Sequence, residues 1–272
     1  MTTAFLRPTA ALLALLCGVA CTRPDTSTKP VETPVASASA ATTEAAAVVA
    51  ADCRHPFGLY DNTELTYQLT DNDDKITGTQ ILKVASITAH AAEKKEPART
   101  DVLLKSSLYD ADNKLLSNDE FVFSCRNDSV LTDGRLLLAP DMLRSFRDRR
   151  FSYVPTALAW PNRPETGSLP NGQLTVEVRS PSVDIARVTT TVSQRQLNGR
   201  EAVTTPAGVF QAYKVESKYE YATQLKPDLV RRSTLRVIDY YAPHVGIVRT
   251  EFRSDNGKLE RAIVLARHSS VQ

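Results

Sequence analysis

The run Gln211-Ala212-Tyr213-Lys214-Val215-Glu216-Ser217-Lys218-Tyr219-Glu220-Tyr221 decides the fold class. Tyr213, Val215, Ser217, Tyr219 and Tyr221 fall on one side of a period of two, and Lys214, Glu216, Lys218 and Glu220 on the other. A helix would mix the two sets around its surface. A strand separates them, and a slip of one residue would bury four charges. The tyrosines on the apolar side suit either a core rim with hydroxyls reaching water or the wall of an amphipathic cavity.

The same period spreads outward along the chain. Leu65, Tyr67 and Leu69 alternate with Thr66, Gln68 and Thr70, and a second strand is expected from about Gly78 to Ala89. Val102, Leu104, Ser106 and Leu108 mark a third, Phe121, Phe123 and Cys125 its return, and Leu235, Val237 and Tyr241 the strand after 221. The breaks share a pattern. Asp71-Asn72-Asp73-Asp74-Lys75, Asp110-Ala111-Asp112-Asn113-Lys114 and Asp255-Asn256-Gly257-Lys258 read as hairpin tips, because Asn, Asp and Gly tolerate left-handed backbone angles. Asn256-Gly257 predicts a type I′ turn. A calcium loop fails in the first two, where Lys75 and Lys114 stand at the third ligand position. Leu259 to Arg267 closes the chain as a last strand.

One helix is expected, from Pro140 to about Phe151, with Pro suited to its first turn and Asp141 to the positive end of its dipole. Met142, Leu143 and Phe146 form a narrow apolar face. Arg144, Arg147, Arg149 and Arg150 make the remainder basic, either as a solvated face or as a docking patch for anionic headgroups or an acidic partner. The Pro-rich stretch Ser152 to Gly172 reads as a lid or a connection between parts of the sheet.

The N-terminus reads as an export signal. Arg7 precedes an apolar stretch from Thr9 to Ala20, too short to span a bilayer, which takes ~20 residues. Small Ala20 directly before Cys21 makes Cys21 the expected lipidation site, although Gly18 departs from the usual Leu; the rival Cys17 follows bulky Leu16. Residues 1–20 are then signal peptide. Residues 21–51 are Thr, Ser, Ala, Pro and Val with few charges and no aromatic residue, a composition expected to form a disordered tether reaching on the order of 30 Å. Residues 52–272 make one β-rich domain. Its remaining cysteines, Cys53 and Cys125, form an even pair in an exported chain, which favours a disulfide.

Beyond the signal the chain carries 32 basic and 31 acidic residues, a balance that argues against bulk capture of nucleic acid. No constellation of catalytic groups is legible. His55, His90, His244 and His268 share no metal-ligand spacing, and there is no nucleophile elbow, phosphate loop or dinucleotide fingerprint. No catalytic residue, metal or cofactor is therefore expected.

Three motifs carry a resemblance. Gly199 to Phe210, with Glu201, Val203, Thr205-Pro206-Ala207-Gly208 and Phe210, resembles the E-x-V-x-T-P-A-G-x-F signature of TapB-like exported proteins of Bacteroidota, relatives of a broad bacterial family of unknown function. Gly167-Ser168-Leu169-Pro170-Asn171-Gly172 is similar to that family's G-x-L-P-[DN]-G crossing. Tyr241-Ala242-Pro243-His244-Val245-Gly246-Ile247-Val248-Arg249-Thr250-Glu251 resembles its W-[YF]-A-x-x-V-G-x-V-K-x-E strand, with Tyr and Arg replacing Trp and Lys. Pro206, Gly208, Phe210 and Gly246 are structural residues: a preset turn, an unusual backbone angle, a core insertion, and a bulge or close approach. The resemblance implies a periplasmic or surface lipoprotein with an open, strongly curved antiparallel sheet or incomplete barrel, like lipoprotein carriers, and no established reaction. A two-layer β-sandwich is the alternative fold. The expected function is a non-catalytic binding module for a lipid or other hydrophobic ligand, anchored to the cell envelope through Cys21. The alternative is an assembly subunit of an envelope complex. Thr22 does not supply the Asp signal for inner-membrane retention, so the outer membrane is the expected address.

Overall fold

The alternation over 211–221 belongs to a strand of 19 residues. The structure is a computed structural model that describes residues 53–269, apart from 94–96, 139–142, 144, 145, 147, 148, 182 and 227. The signal peptide, Cys21 and the tether lie outside the described residues. The strands are β1 Glu64–Asp71, β2 Ile76–His90, β3 Arg99–Asp110, β4 Leu115–Arg126, β5 Ser129–Thr132, β6 Arg150–Pro155, β7 Leu158–Pro161, β8 Gly167–Ser168, β9 Gly172–Ser180, β10 Val183–Thr205, β11 Gly208–Lys226, β12 Leu229–Ala242, β13 Gly246–Arg253 and β14 Leu259–Ser269.

They form one antiparallel sheet in the order β6-β9-β10-β11-β12-β13-β14-β1-β2-β3-β4-β5-β7, with β8 pairing β10. The path ends at β6 and β7, yet only Thr156 and Ala157 separate these two strands in sequence. The sheet must therefore curl until its edges approach, and it forms a strongly curved half-barrel. A single curled sheet replaces the sandwich alternative.

Burial follows the period. Val215, Ser217, Tyr219 and Tyr221 are buried on the concave side, with Tyr213 half-buried. Across the other face the charges pair: Lys214 Nζ lies 2.7 Å from Glu216, Arg236 also meets Glu216, and Arg232 sits 2.9 Å from Glu220. Such exposed pairs contribute little each, about 0–1 kcal/mol. The stability lies inside, where Val102, Leu104, Leu174, Val176, Val237 and Leu265 are fully buried, each contributing about 1.5–3 kcal/mol.

All three expected hairpin tips are tips, and they share one geometry. Asp74 N–H donates to Asp71 O and Asp71 N–H to Lys75 O; the same pairs recur at 110–114 and 254–258. Asp74, Asn113 and Gly257 alone take positive φ in their loops, at 57°, 58° and 83°. This is a type I turn closed by a bulge, not the type I′ turn predicted at Asn256-Gly257, which needs two consecutive positive φ values. The side chains favour it: Asp71 Oδ1 accepts from the backbone of Asp73 and Lys75, and Asp110 Oδ1 from Asp112 and Lys114.

The expected helix over 140–151 is also corrected where it is described. Phe146 N–H bonds Leu143 O and Arg149 N–H bonds Phe146 O, tight three-residue turns. Arg150 and Phe151 already belong to β6, where they pair with Arg179 and Val178 of β9. Helical geometry among the described residues is confined to short 3-10 turns such as Pro56–Gly58 and Gly134–Leu137. The Pro-rich stretch after it is neither lid nor plain connection: it supplies β6, β7 and β8, and places Trp160 in the core at 1% exposure.

Candidate functional site

The tips of β1–β2, β3–β4 and β13–β14 lie at the same end of the sheet, because every intervening strand is antiparallel to its neighbour. Residues beside each tip, Thr70 and Thr77, Tyr109 and Leu116, Phe252 and Arg261, line a cavity of about 280 Å³ inside the curl. The turn Gly134–Leu137 covers one side. Asp133 caps that turn, accepting the Arg135 N–H at 2.9 Å, and its carboxylate also holds the Arg135 guanidinium. Leu116 and Leu136 line the cavity and are still 49% and 36% exposed, so they mark its mouth.

The deeper wall is polar in one place. Asp239 of β12 is 4% exposed and lines the cavity. Its neighbour across the ladder is Thr250 of β13, whose hydroxyl donates to Oδ1 at 2.6 Å. Burial pushes the Asp239 carboxyl up to about 6, against the opposing pull of the Thr250 hydroxyl and the Arg195 charge. Burial likewise raises the Tyr219 hydroxyl well above its ordinary value.

Arg195 is the second buried charge, at 2% exposure. Its guanidinium donates to the carbonyls of Pro170 at 2.8 Å and Ala159 at 3.2 Å, and lies 4.8 Å from the Trp160 ring centre. Burial lowers its pKa. Trp160 in turn donates to Thr132 Oγ1 at 3.1 Å, and the Tyr241 hydroxyl donates to Pro161 O at 2.9 Å. Thus β7 is bonded across the concave face to β10 and β12.

Neither Asp239 nor Arg195 was singled out by the sequence reading. Asp239 was accessible to it: the strand was read from Leu235, Val237 and Tyr241, and the same parity places residue 239 inward. Arg195 was not. Gln194 takes φ 53° and the register slips between Ser193 and Gln196, so the buried set passes from Val188, Thr190 and Val192 to Arg195 and Leu197.

Of the tyrosines read as a core rim or a cavity wall, Tyr219 and Tyr221 line the cavity and Tyr213 does not; the other residues expected from sequence are not gathered there. Cys53 and Cys125 lie with their sulfurs 2.01 Å apart, as a disulfide pinning the start of the domain to the far end of β4. Pro206 and Gly208 sit at the β10–β11 tip, away from the mouth, where Thr205 Oγ1 accepts the Ala207 N–H at 3.2 Å; Phe210 packs half-buried against the core. Gly246 has φ 94°, and a Cβ there would stand 3.3 Å from the Phe57 ring. Arg149 and Arg150 are exposed, whereas Arg144 and Arg147 lie outside the described residues. His90 pairs with Asp101 at 3.1 Å, and His55 stacks on Tyr60.

A family model described as DUF3108-like matches residues 61–265. The chain belongs to the DUF3108-like family. Every residue lining the cavity falls inside the DUF3108-like segment, and so does Cys125, whereas Cys53 precedes it. Two solved structures share the fold. One is a protein described as exported, with a YmcC-like fold, from Bacteroides fragilis NCTC 9343 (22% identity, 80% of this chain and 100% of that chain, TM-score 0.64). The other is described as a lipoprotein from Parabacteroides distasonis ATCC 8503 (19% identity, 80% and 100%, TM-score 0.65). No curated protein matches the sequence.

Proposed function

We propose that this chain is an exported envelope lipoprotein, anchored through Cys21, whose curled sheet binds a lipid or other hydrophobic ligand without transforming it. The observation that carries the reading is the cavity of about 280 Å³ with exposed leucines at its mouth. Small-molecule pockets begin near ~300 Å³, are mostly apolar, and carry a few placed polar groups. The anchor rests on the Ala20-Cys21 junction and agrees with the relatives described as exported and as a lipoprotein. On the same junction, with Thr22 after it, we assign the chain to the outer membrane. On the Thr205-Pro206-Ala207-Gly208-x-Phe210 motif we group it with TapB-like proteins. The non-catalytic reading is supported by the lining itself, chiefly leucine, threonine and aromatic side chains around a carboxyl engaged by a threonine.

Native mass spectrometry of the protein taken from its own host tests this. The expected result is a stoichiometric small hydrophobic molecule released on denaturation. A bare chain in a stable heteromer would favour the assembly-subunit alternative and overturn the ligand reading.

A further inference from the structure

The cavity's polar spot is placed where a ligand's polar group, not its tail, would have to sit. Asp239 and Thr250 face each other across β12 and β13, and one step further Thr250 faces Ile263 of β14, which faces Leu69 of β1. The row therefore crosses four strands of the concave wall, with two polar residues at one end. Thr70, beside the β1–β2 tip on the mouth side of this row, is 9% exposed, lines the cavity, and its hydroxyl has no hydrogen-bond partner among the described residues. Among the described residues Asp239 receives one hydrogen bond, from Thr250 to Oδ1, although a carboxylate has about four acceptor sites. This level lies two residues deeper than Phe252, or roughly 7 Å further from the tips. Between it and the mouth the walls include Phe252, Tyr221 and Leu116.

The charges around Asp239 define what it accepts. Arg195 has its donors on the carbonyls of Pro170 and Ala159. Arg261 lies over the Phe252 ring at 4.2 Å, on the mouth side. The Tyr219 hydroxyl is held neutral by burial. An anionic head at the deep spot would meet a carboxyl; a donor would find a free acceptor site.

Resting on the reading of the cavity as a ligand site, we propose that it takes a single-chain amphiphile head first, with a hydrogen-bond-donating head, hydroxyl or ammonium, against Asp239 and its alkyl chain running out towards Leu116 and Leu136. The small volume accommodates one chain.

The test uses the full chain carrying Cys21→Ser, so that no anchor competes, titrated calorimetrically with dodecane, 1-dodecanol, dodecylamine and dodecanoate. The alcohol or the amine should bind at least about tenfold more tightly than dodecane and dodecanoate, the worth of one hydrogen bond to a charged group. Asp239→Leu should erase that preference while dodecane binding stays or rises, which also shows that the variant has kept its cavity. Asp239→Asn separates the two heads: it keeps an acceptor for the alcohol and loses the charge for the amine. Dodecane or dodecanoate binding as tightly as the alcohol and amine would overturn the head assignment and leave the ligand site standing. Failure of all four to bind would remove the ligand site itself.

Discussion

Asp239 is the residue at which burial and charge conflict. Its carboxyl is stabilised in the protonated form, because burial raises its pKa from 3.8 to about 6, and the Thr250 hydroxyl and the Arg195 charge recover only part of the loss. The folded state therefore holds a proton that the unfolded chain releases at lower pH. Stability from this group is complete below about pH 4 and is lost as the pH rises through about 6. The shift of roughly two units corresponds to about 3 kcal/mol at one pK unit per 1.36 kcal/mol. Asp239→Asn cannot ionise and should lose that dependence. In urea titrations at pH 4 and pH 8, the stability of the variant relative to the parent should improve by about 3 kcal/mol at the higher pH. Equal differences at both pH values would show that Asp239 is not desolvated. A perturbed carboxyl lining a cavity is a feature shared by functional sites and by structural polar pairs, and the ligand titrations proposed for Asp239 separate the two.

At the scale of elements, what could be read in advance depended on parity. Residues 211–221 were legible because tyrosines and charges occupy opposite sides without interruption. The tips were legible because Asp, Asn and Gly are the residues that accept left-handed angles. Their turn type was not, since the deciding contacts are side-chain bonds from Asp71 and Asp110 to backbone N–H groups two and four residues on. The curl of the sheet came from resemblance rather than from any local pattern. In the candidate site, the inward position of Asp239 follows from the parity of Leu235, Val237 and Tyr241, but its contact with Thr250 depends on strand pairing that the sequence does not display. Arg195 was hidden by the bulge at Gln194, which no period of two can anticipate. That bulge matters because Arg195 ties β10 to β7 through the Ala159 carbonyl and the Trp160 face, and to the β8–β9 connection through the Pro170 carbonyl. Arg195→Met keeps the aliphatic stem but leaves the Pro170 and Ala159 carbonyls unpaired. It should cost about 2–5 kcal/mol, lowering the melting temperature by on the order of 10 °C for a domain of this size. Trp160 is the single tryptophan, so its emission reports the site directly. It should shift to longer wavelength in the folded variant as β7 loosens. Unchanged emission and melting would mean that the edge strand holds without the arginine.

For the sheet as a whole, the question is what keeps a curved, largely open surface from uncurling. Hydrogen bonds join neighbouring strands in sequence order through most of the path, but the ends depend on special links. β7 is bonded across the concave side by Arg195 and Tyr241, and the chain before β1 is tied to β4 by Cys53–Cys125, 72 residues apart in sequence. That cross-link encloses β1, β2, β3 and most of β4, so its main effect is on the unfolded chain. Closing a loop of this length removes conformational freedom corresponding to about 4 kcal/mol in the chain-entropy model. Cys125→Ala, or reduction of the native protein, should therefore leave the sheet assembled under mild conditions and lower its urea midpoint. The slope of the transition should rise at the same time, because an unfolded chain freed of the cross-link expands and exposes more surface. A lower midpoint with an unchanged slope would place the effect in the folded sheet instead, where Asn162 Nδ2 lies 3.3 Å from Cys125 Sγ and joins the bridge to the end of β7.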